Sequence, residues 1–187
     1  MEMPGNRLGP TEWVNAGLKA LAKYGFPALK ADTLANRLRI SRGSFYWHFA
    51  HVSAFHAAIL SRWREIVLSN ILEKIEGATE GRLETALYRA FSTDPETERA
   101  VRAWATFDEQ ANSAAEAVDA ERIRHLQELL VNAGVPPAAA KSHAYIMNWA
   151  YVGFALSSAH LEDAALRGFV RDLSQLVRTK GSNGCAP

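Results

Sequence analysis

The chain has 187 residues, of which 48% are hydrophobic and 22% charged, a composition that excludes a disordered chain and is sufficient for a sizeable core. Its formal net charge is only +1, but residues 1–56 hold seven Lys or Arg against three Asp or Glu, and the remainder is net negative. The positive charge is therefore concentrated in the N-terminal part, as a phosphate-binding partner requires.

Cysteine usage and hydropathy exclude two further classes, exported disulfide proteins and membrane proteins. Cys185 is the only cysteine, so no intramolecular disulfide can form. The longest apolar segment, 144–159, is shorter than the roughly 18 residues that a membrane span needs. Residues 1–10 have no apolar signal-peptide core. We therefore expect a soluble cytoplasmic protein with no membrane partner.

Helical periodicity predicts an all-α chain, without any alternating strand pattern. Thr11 is expected to cap the first helix, and Gly25 is expected to stop it in a left-handed conformation. Two short helices joined by a tight turn follow over Ala31–Phe49, and the three helices together form one small unit. We therefore divide the chain into an N-terminal domain, 1–50, and a helical C-terminal domain, 51–187.

The C-terminal domain is predicted to contain six further helices, which brings the total to about nine. Their expected ranges are 52–76, 81–91, 96–112, 114–132, 137–160 and 163–178. The first of them is long enough, at roughly 37 Å, to belong to both domains.

The segment Ser41–Phe49, SRGSFYWHF, combines a buried face with a basic and aromatic exposed face. Ser41 stands where a helix N-cap belongs, because its hydroxyl can accept a backbone hydrogen bond. Phe45 and Phe49 are four residues apart and can be buried together. So short a helix is not stable alone, which indicates that neighbouring helices hold it and that its exposed face has a partner.

This segment resembles the helix-turn-helix signature of the TetR (tetracycline-repressor-like) family of bacterial transcriptional regulators. The resemblance implies that this helix enters the major groove of DNA, where Arg42 would read guanine and Gly43 would allow close approach. It also implies that Tyr46 and His48 contact phosphates. The residues predicted to bind DNA are Lys30, Arg39, Ser41, Arg42, Gly43, Ser44, Tyr46, Trp47 and His48.

Three positions depart from the family pattern. Leu29-Lys30 replaces the usual Thr or Ser before the first helix of the motif, which removes an N-cap. Arg39 replaces the usual glycine of the turn, so either a side chain tolerates that backbone or the turn differs. His51-Val52-Ser53 replaces a segment that commonly contains a phosphate-neutralising Lys. These departures leave open a second reading, a dimeric helical ligand-binding protein whose specific DNA binding is weakened or lost.

Apolar stripes on the last two predicted helices favour a two-fold, four-helix dimer interface, which the resemblance also implies. The alternative is that these stripes belong to the core of the single chain. The predicted interface residues are Ile146, Ala150, Gly153, Ser157, Leu166, Phe169, Val170, Leu173, Leu176 and Val177.

The resemblance further implies a small-molecule pocket in the C-terminal domain. Aromatic residues at helical spacing are candidates for its lining, although such residues more often form core. The candidates are Tyr88, Trp104, Phe107, Tyr145 and Trp149.

The sequence contains none of the motifs that would indicate an enzyme or a metal protein. It has no paired Glu-x-x-His motif, P-loop, dinucleotide glycine fingerprint or G-x-S-x-G motif. We expect no catalytic residue, no metal and no cofactor. The resulting prediction is a cytoplasmic, nucleoid-associated homodimeric regulator, most simply a repressor, that binds a palindromic DNA operator and is released by an unknown small-molecule effector.

Overall fold

The computed structural model describes residues 8–76, 81–157 and 161–178. Within these ranges the chain is helical and contains no β-strand, which confirms the predicted all-α class. The nine α-helices are α1 (Pro10–Tyr24), α2 (Ala31–Leu38), α3 (Arg42–His48), α4 (Val52–Glu76), α5 (Arg82–Ser92), α6 (Glu96–Ala105), α7 (Glu109–Asn132), α8 (Pro137–Leu156) and α9 (Asp163–Arg178), with a short 3₁₀ helix over Phe26–Leu29. Cys185 and the predicted end of α8 at residues 158–160 lie outside the described residues.

The chain divides into two compact units. The first unit contains the described residues up to Ile66 together with Glu96–Ala115, and the second contains those of Val67–Pro95 and from Glu116 onward. Both α4 and α7 therefore contribute residues to each unit. The predicted division at residue 50 remains a prediction.

Helix α1 begins earlier than its predicted cap. Gly9, not Thr11, is the N-cap, and the carboxylate of Glu12 accepts a hydrogen bond from the Gly9 N–H. Pro10 follows at the first helical position, where its fixed φ suits a helix and its missing N–H costs nothing. The helix ends as predicted at Gly25, whose φ of 74° and ψ of −176° belong to a region open essentially only to glycine.

Aromatic side chains form the centre of the first unit. Trp13, Phe45 and Phe55 are fully buried, and the rings of Trp13 and Phe45 meet edge to face with centroids 5.4 Å apart. Gly17 of α1 allows close packing at this point. A Cβ on residue 17 would come within 2.7 Å of Ile59 Cδ1. Helices α1, α3 and α4 are thus packed around one aromatic cluster.

The prediction of one helix over 96–112 is wrong, because the helix is interrupted between α6 and α7. The Thr106 hydroxyl donates a hydrogen bond to the Ala103 carbonyl oxygen, 2.7 Å away, in the last turn of α6. Asp108 then caps α7, where its Oδ1 accepts from the Ala111 N–H at 2.9 Å. This capping also moves the start of α7 from the predicted residue 114 to Glu109.

The second unit has its own hydrophobic core, to which α5, α7, α8 and α9 all contribute. Phe91 is at its centre, with ring contacts to Tyr151, Phe154 and Phe169 at 5.0–5.8 Å between centroids. The buried core residues are Leu83, Leu87, Phe91, Leu129, Leu130, Val135, Ala140, Ala144, Met147, Leu166, Val170, Leu173 and Val177. Among the described helices, none has both the length and the apolarity that crossing a bilayer requires.

Candidate nucleic-acid interface

Helices α2 and α3 form a helix-turn-helix whose turn is centred on Arg39. Arg39 has φ 56° and ψ 40°, and it is the only residue other than glycine with a positive φ in the described part of the chain. The N–H of Ile40 donates to the Ala35 carbonyl oxygen at 3.1 Å, which closes the end of α2. The turn thus keeps the left-handed geometry that glycine favours, and an arginine side chain tolerates it.

We expect Arg39→Gly to raise the free energy of unfolding by about 0.5–1 kcal/mol, because it relieves left-handed strain but adds freedom to the unfolded chain. Urea unfolding would measure the change. Arg39→Ala keeps the strain and serves as the control. A glycine variant no more stable than the alanine variant would contradict this account.

Helix α3 is anchored on one side and open on the other. Phe45 and Phe49 are buried, and the ring of Phe45 lies 5.1 Å from that of Phe55 in α4. Trp47 is 80% exposed and Tyr46 is 42% exposed. The seven residues of α3 are therefore held by their apolar side while aromatic and basic groups face outward.

The start of α3 is open to an approaching partner. Ser41 is the N-cap by position, but its hydroxyl does not make the predicted hydrogen bond to the helix; the Ser44 N–H donates instead to the Ser41 carbonyl oxygen at 3.1 Å. A Cβ at Gly43 would meet only Ser41 Oγ, at 3.9 Å. The protein's own packing therefore does not require a glycine at residue 43.

The guanidinium of Arg42 is held by contacts to two neighbouring side chains. Its Nε lies 3.0 Å from Oδ1 of Asp32 on α2, and its Nη2 donates to the Tyr46 hydroxyl at 3.3 Å. The hydrogen bond to Tyr46 and the nearby Asp32 carboxylate together raise the pKa of Arg42 above its ordinary value. Asp32 was not among the predicted site residues. The sequence does contain a signal for it, because Asp32 is the only acid between Glu12 and Glu65.

The remaining predicted DNA-binding residues surround this helix. Lys30 is exposed at the N-cap position of α2, where no side chain caps the helix. Arg39 and Ser41 are exposed, and Ser44 and His48 are half-buried. The structure therefore brings all nine predicted residues onto the segment formed by α2, the turn and α3.

His51 fills the place before α4 where the family pattern differs. Its Nδ1 accepts a hydrogen bond from the Ala54 N–H at 3.0 Å and lies 2.7 Å from the Ser53 hydroxyl oxygen. The imidazole thus acts as the cap of α4. Capping requires an unprotonated Nδ1, which leaves the ring proton on Nε2.

The five predicted pocket residues are divided between the two units, and their role as the lining of a pocket stays a prediction. Trp104 and Phe107 pack in the first unit against Phe26, with ring centroids 5.1 and 5.3 Å from it. In the second unit, the Tyr88 hydroxyl donates to Asp163 at the start of α9. Tyr145 and Trp149 are 37% and 65% exposed.

The predicted interface residues fall into three groups, which are buried, partly buried and exposed. Leu166, Val170, Leu173 and Val177 are buried in the core of the second unit, so the single-chain alternative holds for them. Phe169 is partly buried against Phe91. Ala150 and Ser157 are half-buried, whereas Ile146, Gly153 and Leu176 are exposed.

The second unit also contains buried polar atoms outside the predicted site residues. His143 Nδ1 and Asn148 Oδ1 on α8 are buried and have no hydrogen-bond partner among the described residues. On α7, Arg122 lies over the Tyr151 ring, 4.6 Å from its centroid. In the described part of the chain, no three His, Cys, Asp or Glu residues come together in a way that would hold a metal ion.

Comparison with known proteins supports the helix-turn-helix. Residues 14–51 match the family model described as bacterial regulatory proteins, tetR family. These residues include α2, the turn and α3, and they end at the residue that caps α4. No curated protein is similar enough in sequence to be identified as a relative.

Solved structures resemble the chain over almost its whole length. A transcriptional regulator from Rhodococcus sp. Rha1 is 17% identical, with 96% of this chain and 100% of that chain covered and a TM-score of 0.79. A TetR-family transcriptional regulator from Mesorhizobium loti MAFF303099 is 18% identical over 94% and 97% of the two chains, with a TM-score of 0.66. The multidrug binding protein EbrR, complexed with imidazole, is 17% identical over 91% and 96%, with a TM-score of 0.61.

The family match lies on the helix-turn-helix, and the structural matches extend the same fold through the second unit. Residues 14–51, which contain the helix-turn-helix, are thus similar to the tetR family of bacterial regulatory proteins, and the described part of the chain has the all-helical fold of solved transcriptional regulators that include TetR-family ones.

Proposed function

We propose that this chain is a homodimeric, ligand-responsive transcriptional repressor that binds a palindromic DNA operator. Each subunit places α3 in a major groove, and a small-molecule effector shifts the dimer toward a conformation that no longer fits the two half-sites. Arg42 reads a guanine, Trp47 contacts a thymine methyl group, and Lys30, Arg39, Tyr46 and His48 contact phosphates.

The observation that carries this proposal is the two-sided character of α3. Phe45 fixes the helix to α1 and α4, whereas Arg42, Tyr46 and Trp47 are exposed beside it. DNA provides partners for both kinds of side chain, phosphates for the basic group and apolar base edges for the aromatic rings. The open space over Gly43 also supports a close approach, because a glycine within a helix otherwise costs about 1 kcal/mol relative to alanine.

Selection of random duplex DNA by the purified protein at two salt concentrations tests the proposal. We expect enrichment of a palindrome whose half-sites lie about one helical turn or more apart. Retention without enrichment that disappears as salt rises would indicate phosphate attraction alone. That result would favour the alternative function, a dimeric ligand-binding protein without specific DNA binding.

Arg42→Ala should weaken binding to the selected site by on the order of 1–3 kcal/mol and relax the preference at one base pair. The physical reason is the loss of a guanidinium fork that pairs with guanine O6 and N7. Repeating the selection with the variant measures both effects. Arg64→Ala, which removes an exposed arginine of α4, is the control. Unchanged base preference in Arg42→Ala would remove Arg42 from the reading role.

We place the effector site within the second unit. The proposal is supported by His143 Nδ1 and Asn148 Oδ1, which are buried without a hydrogen-bond partner among the described residues. Both lie on α8, the helix that also provides two of the rings around Phe91. The EbrR structures, of a multidrug binding protein with imidazole and with malachite green, have a similar fold and contain small aromatic compounds. Compounds of this class would be screened by release of the protein from its selected DNA.

We place the dimer interface on the exposed apolar stripe of α8. Its residues recur at helical spacing along one face: Tyr145, Ile146, Trp149, Gly153 and Leu156. Ile146 is 49% exposed and Leu156 is 52% exposed, and a Cβ at Gly153 would meet nothing within 4 Å. Leu176 of α9, at 68% exposure, is a further candidate. A second copy of this chain would cover such a stripe in an isologous contact.

Ile146→Lys combined with Trp149→Lys should convert the dimer to a monomer, because two charges would be buried without partners at the interface. Size-exclusion chromatography with light scattering measures the mass. Val131→Lys, which charges an exposed apolar residue of α7 instead, is the matched control and should remain dimeric. A dimer that survives the double replacement would place the interface elsewhere.

A further inference from the structure

Asp32 is an unexpected residue for a surface that meets DNA. It is the only acid between Glu12 and Glu65, and it lies in the first turn of α2 with its Oδ1 3.0 Å from Arg42 Nε on α3. Both side chains are 61% exposed. The ion pair thus joins the two helices of the motif at their outer surface.

The helix dipole favours an acid in the first turn of α2, but it does not account for the pairing of that acid with Arg42. An ion pair between exposed side chains contributes little to stability. Near a phosphate backbone, an acid also repels the DNA and cancels the charge of the arginine that it pairs with. A carboxylate in this place lowers affinity for any duplex, so its pairing with Arg42 would benefit DNA binding through discrimination between duplexes.

The contacts of Arg42 indicate how that discrimination arises. Asp32 Oδ1 forms an ion pair on the Nε side of the guanidinium, 3.0 Å from Nε, and the Tyr46 hydroxyl accepts one N–H of Nη2 at 3.3 Å. Nη1 makes no hydrogen bond to the described residues, so the Nη1–Nη2 edge remains available. Two parallel N–H groups on that edge match O6 and N7 of guanine.

We propose that Asp32 is a specificity-determining residue, which holds Arg42 with its Nη1–Nη2 edge directed at a guanine and prevents the guanidinium from neutralising a phosphate instead. The assignment rests on the proposed DNA-binding function. Asp32 acts through Arg42 and is therefore a positioning residue. It lowers binding to random duplex more than binding to the operator.

The test compares Asp32→Ala with the wild-type protein on the selected site and on random duplex, across a series of salt concentrations. We expect the ratio of specific to non-specific affinity to fall about tenfold, mainly through tighter binding of random duplex. The slope of log K against log salt for random duplex should steepen by about 0.9, because the released guanidinium gains one phosphate.

Glu65→Ala is the matched control. Glu65 is an exposed acid of the same unit, paired with Arg62 at 3.2 Å on α4, so its removal changes the net charge equally. If both variants changed the ratio of specific to non-specific affinity and the salt slope to a similar extent, the proposal would be overturned. Asp32 would then act only through its net charge. Thermal unfolding of both variants would reveal a contribution of Asp32 to α2, which by itself leaves base preference unchanged.

A second comparison places Asp32→Ala in the Arg42→Ala background. We expect no further change in base preference there, because the residue through which Asp32 acts is gone. A further change would show that Asp32 touches the DNA itself and would overturn the positioning role. If the wild-type protein enriches a site and Asp32→Ala reads it equally well, only this inference fails. If the wild-type protein enriches no site, the proposed function fails, and this inference with it.

Discussion

Phe45→Ala should lower the free energy of unfolding of the first unit by about 3–5 kcal/mol, the range for deleting a buried aromatic side chain. Phe45 is 0% exposed, and its ring meets those of Trp13 and Phe55 at 5.4 and 5.1 Å. The substitution therefore removes the side chain that α1, α3 and α4 share. Because α3 has only seven residues, its stability depends on such tertiary packing.

Urea unfolding followed by far-ultraviolet circular dichroism measures this loss. Trp47→Ala is the matched control, since it also removes an aromatic ring from α3 but one that is 80% exposed. We expect that control to change stability by less than about 0.5 kcal/mol while weakening DNA binding. A loss below about 1 kcal/mol for Phe45→Ala would mean that α3 is held by something other than this cluster.

Trp104→Ala should also lower the free energy of unfolding by about 3–5 kcal/mol, because it removes the side chain that packs α6 within the first unit. Trp104 is 0% exposed, and its ring lies 5.1 Å from Phe26 and 5.2 Å from His56. Burial in this aromatic surrounding lowers the pKa of His56, which favours its neutral form. The indole therefore joins α6 to the 3₁₀ helix before α2 and to the start of α4.

Two controls separate the contributions of the Trp104 side chain. Phe107→Ala removes a ring that also contacts Phe26 but is 64% exposed, and we expect a loss below about 1 kcal/mol. Trp104→Phe keeps a ring and removes the indole N–H, which is buried and has no hydrogen-bond partner among the described residues. Because that group gains nothing from burial, Trp104→Phe should cost much less than Trp104→Ala. Equal losses for the two Trp104 variants would contradict this account.

The helices themselves were largely predictable, because local periodicity and turn residues determine them. The predicted ranges of α4 and α9 agree with the structure, and Gly25 ends α1 as expected. The break between α6 and α7 was missed because helical spacing continues through it. Only the side-chain cap from Asp108 reveals the break, and a single aspartate is a weak signal in a sequence.

The candidate site was predictable where its residues are close in sequence and not where tertiary packing brings them together. The DNA-facing residues of α3 follow from one amphipathic segment, but the pairing of Asp32 with Arg42 depends on the left-handed turn at Arg39. An amphipathic stripe likewise does not reveal which chain covers it. Leu173 is buried in its own chain, whereas Ile146, equally apolar, is exposed.

The distribution of the five tryptophans allows intrinsic fluorescence to report on DNA binding and self-association separately. Trp13, Trp63 and Trp104 are buried, whereas Trp47 lies on the proposed DNA surface and Trp149 on the proposed dimer surface. A soluble quencher such as iodide would therefore reach the emission of only these two. DNA should protect Trp47 and self-association should protect Trp149, so Trp47→Phe and Trp149→Phe variants would separate the two events without any attached dye.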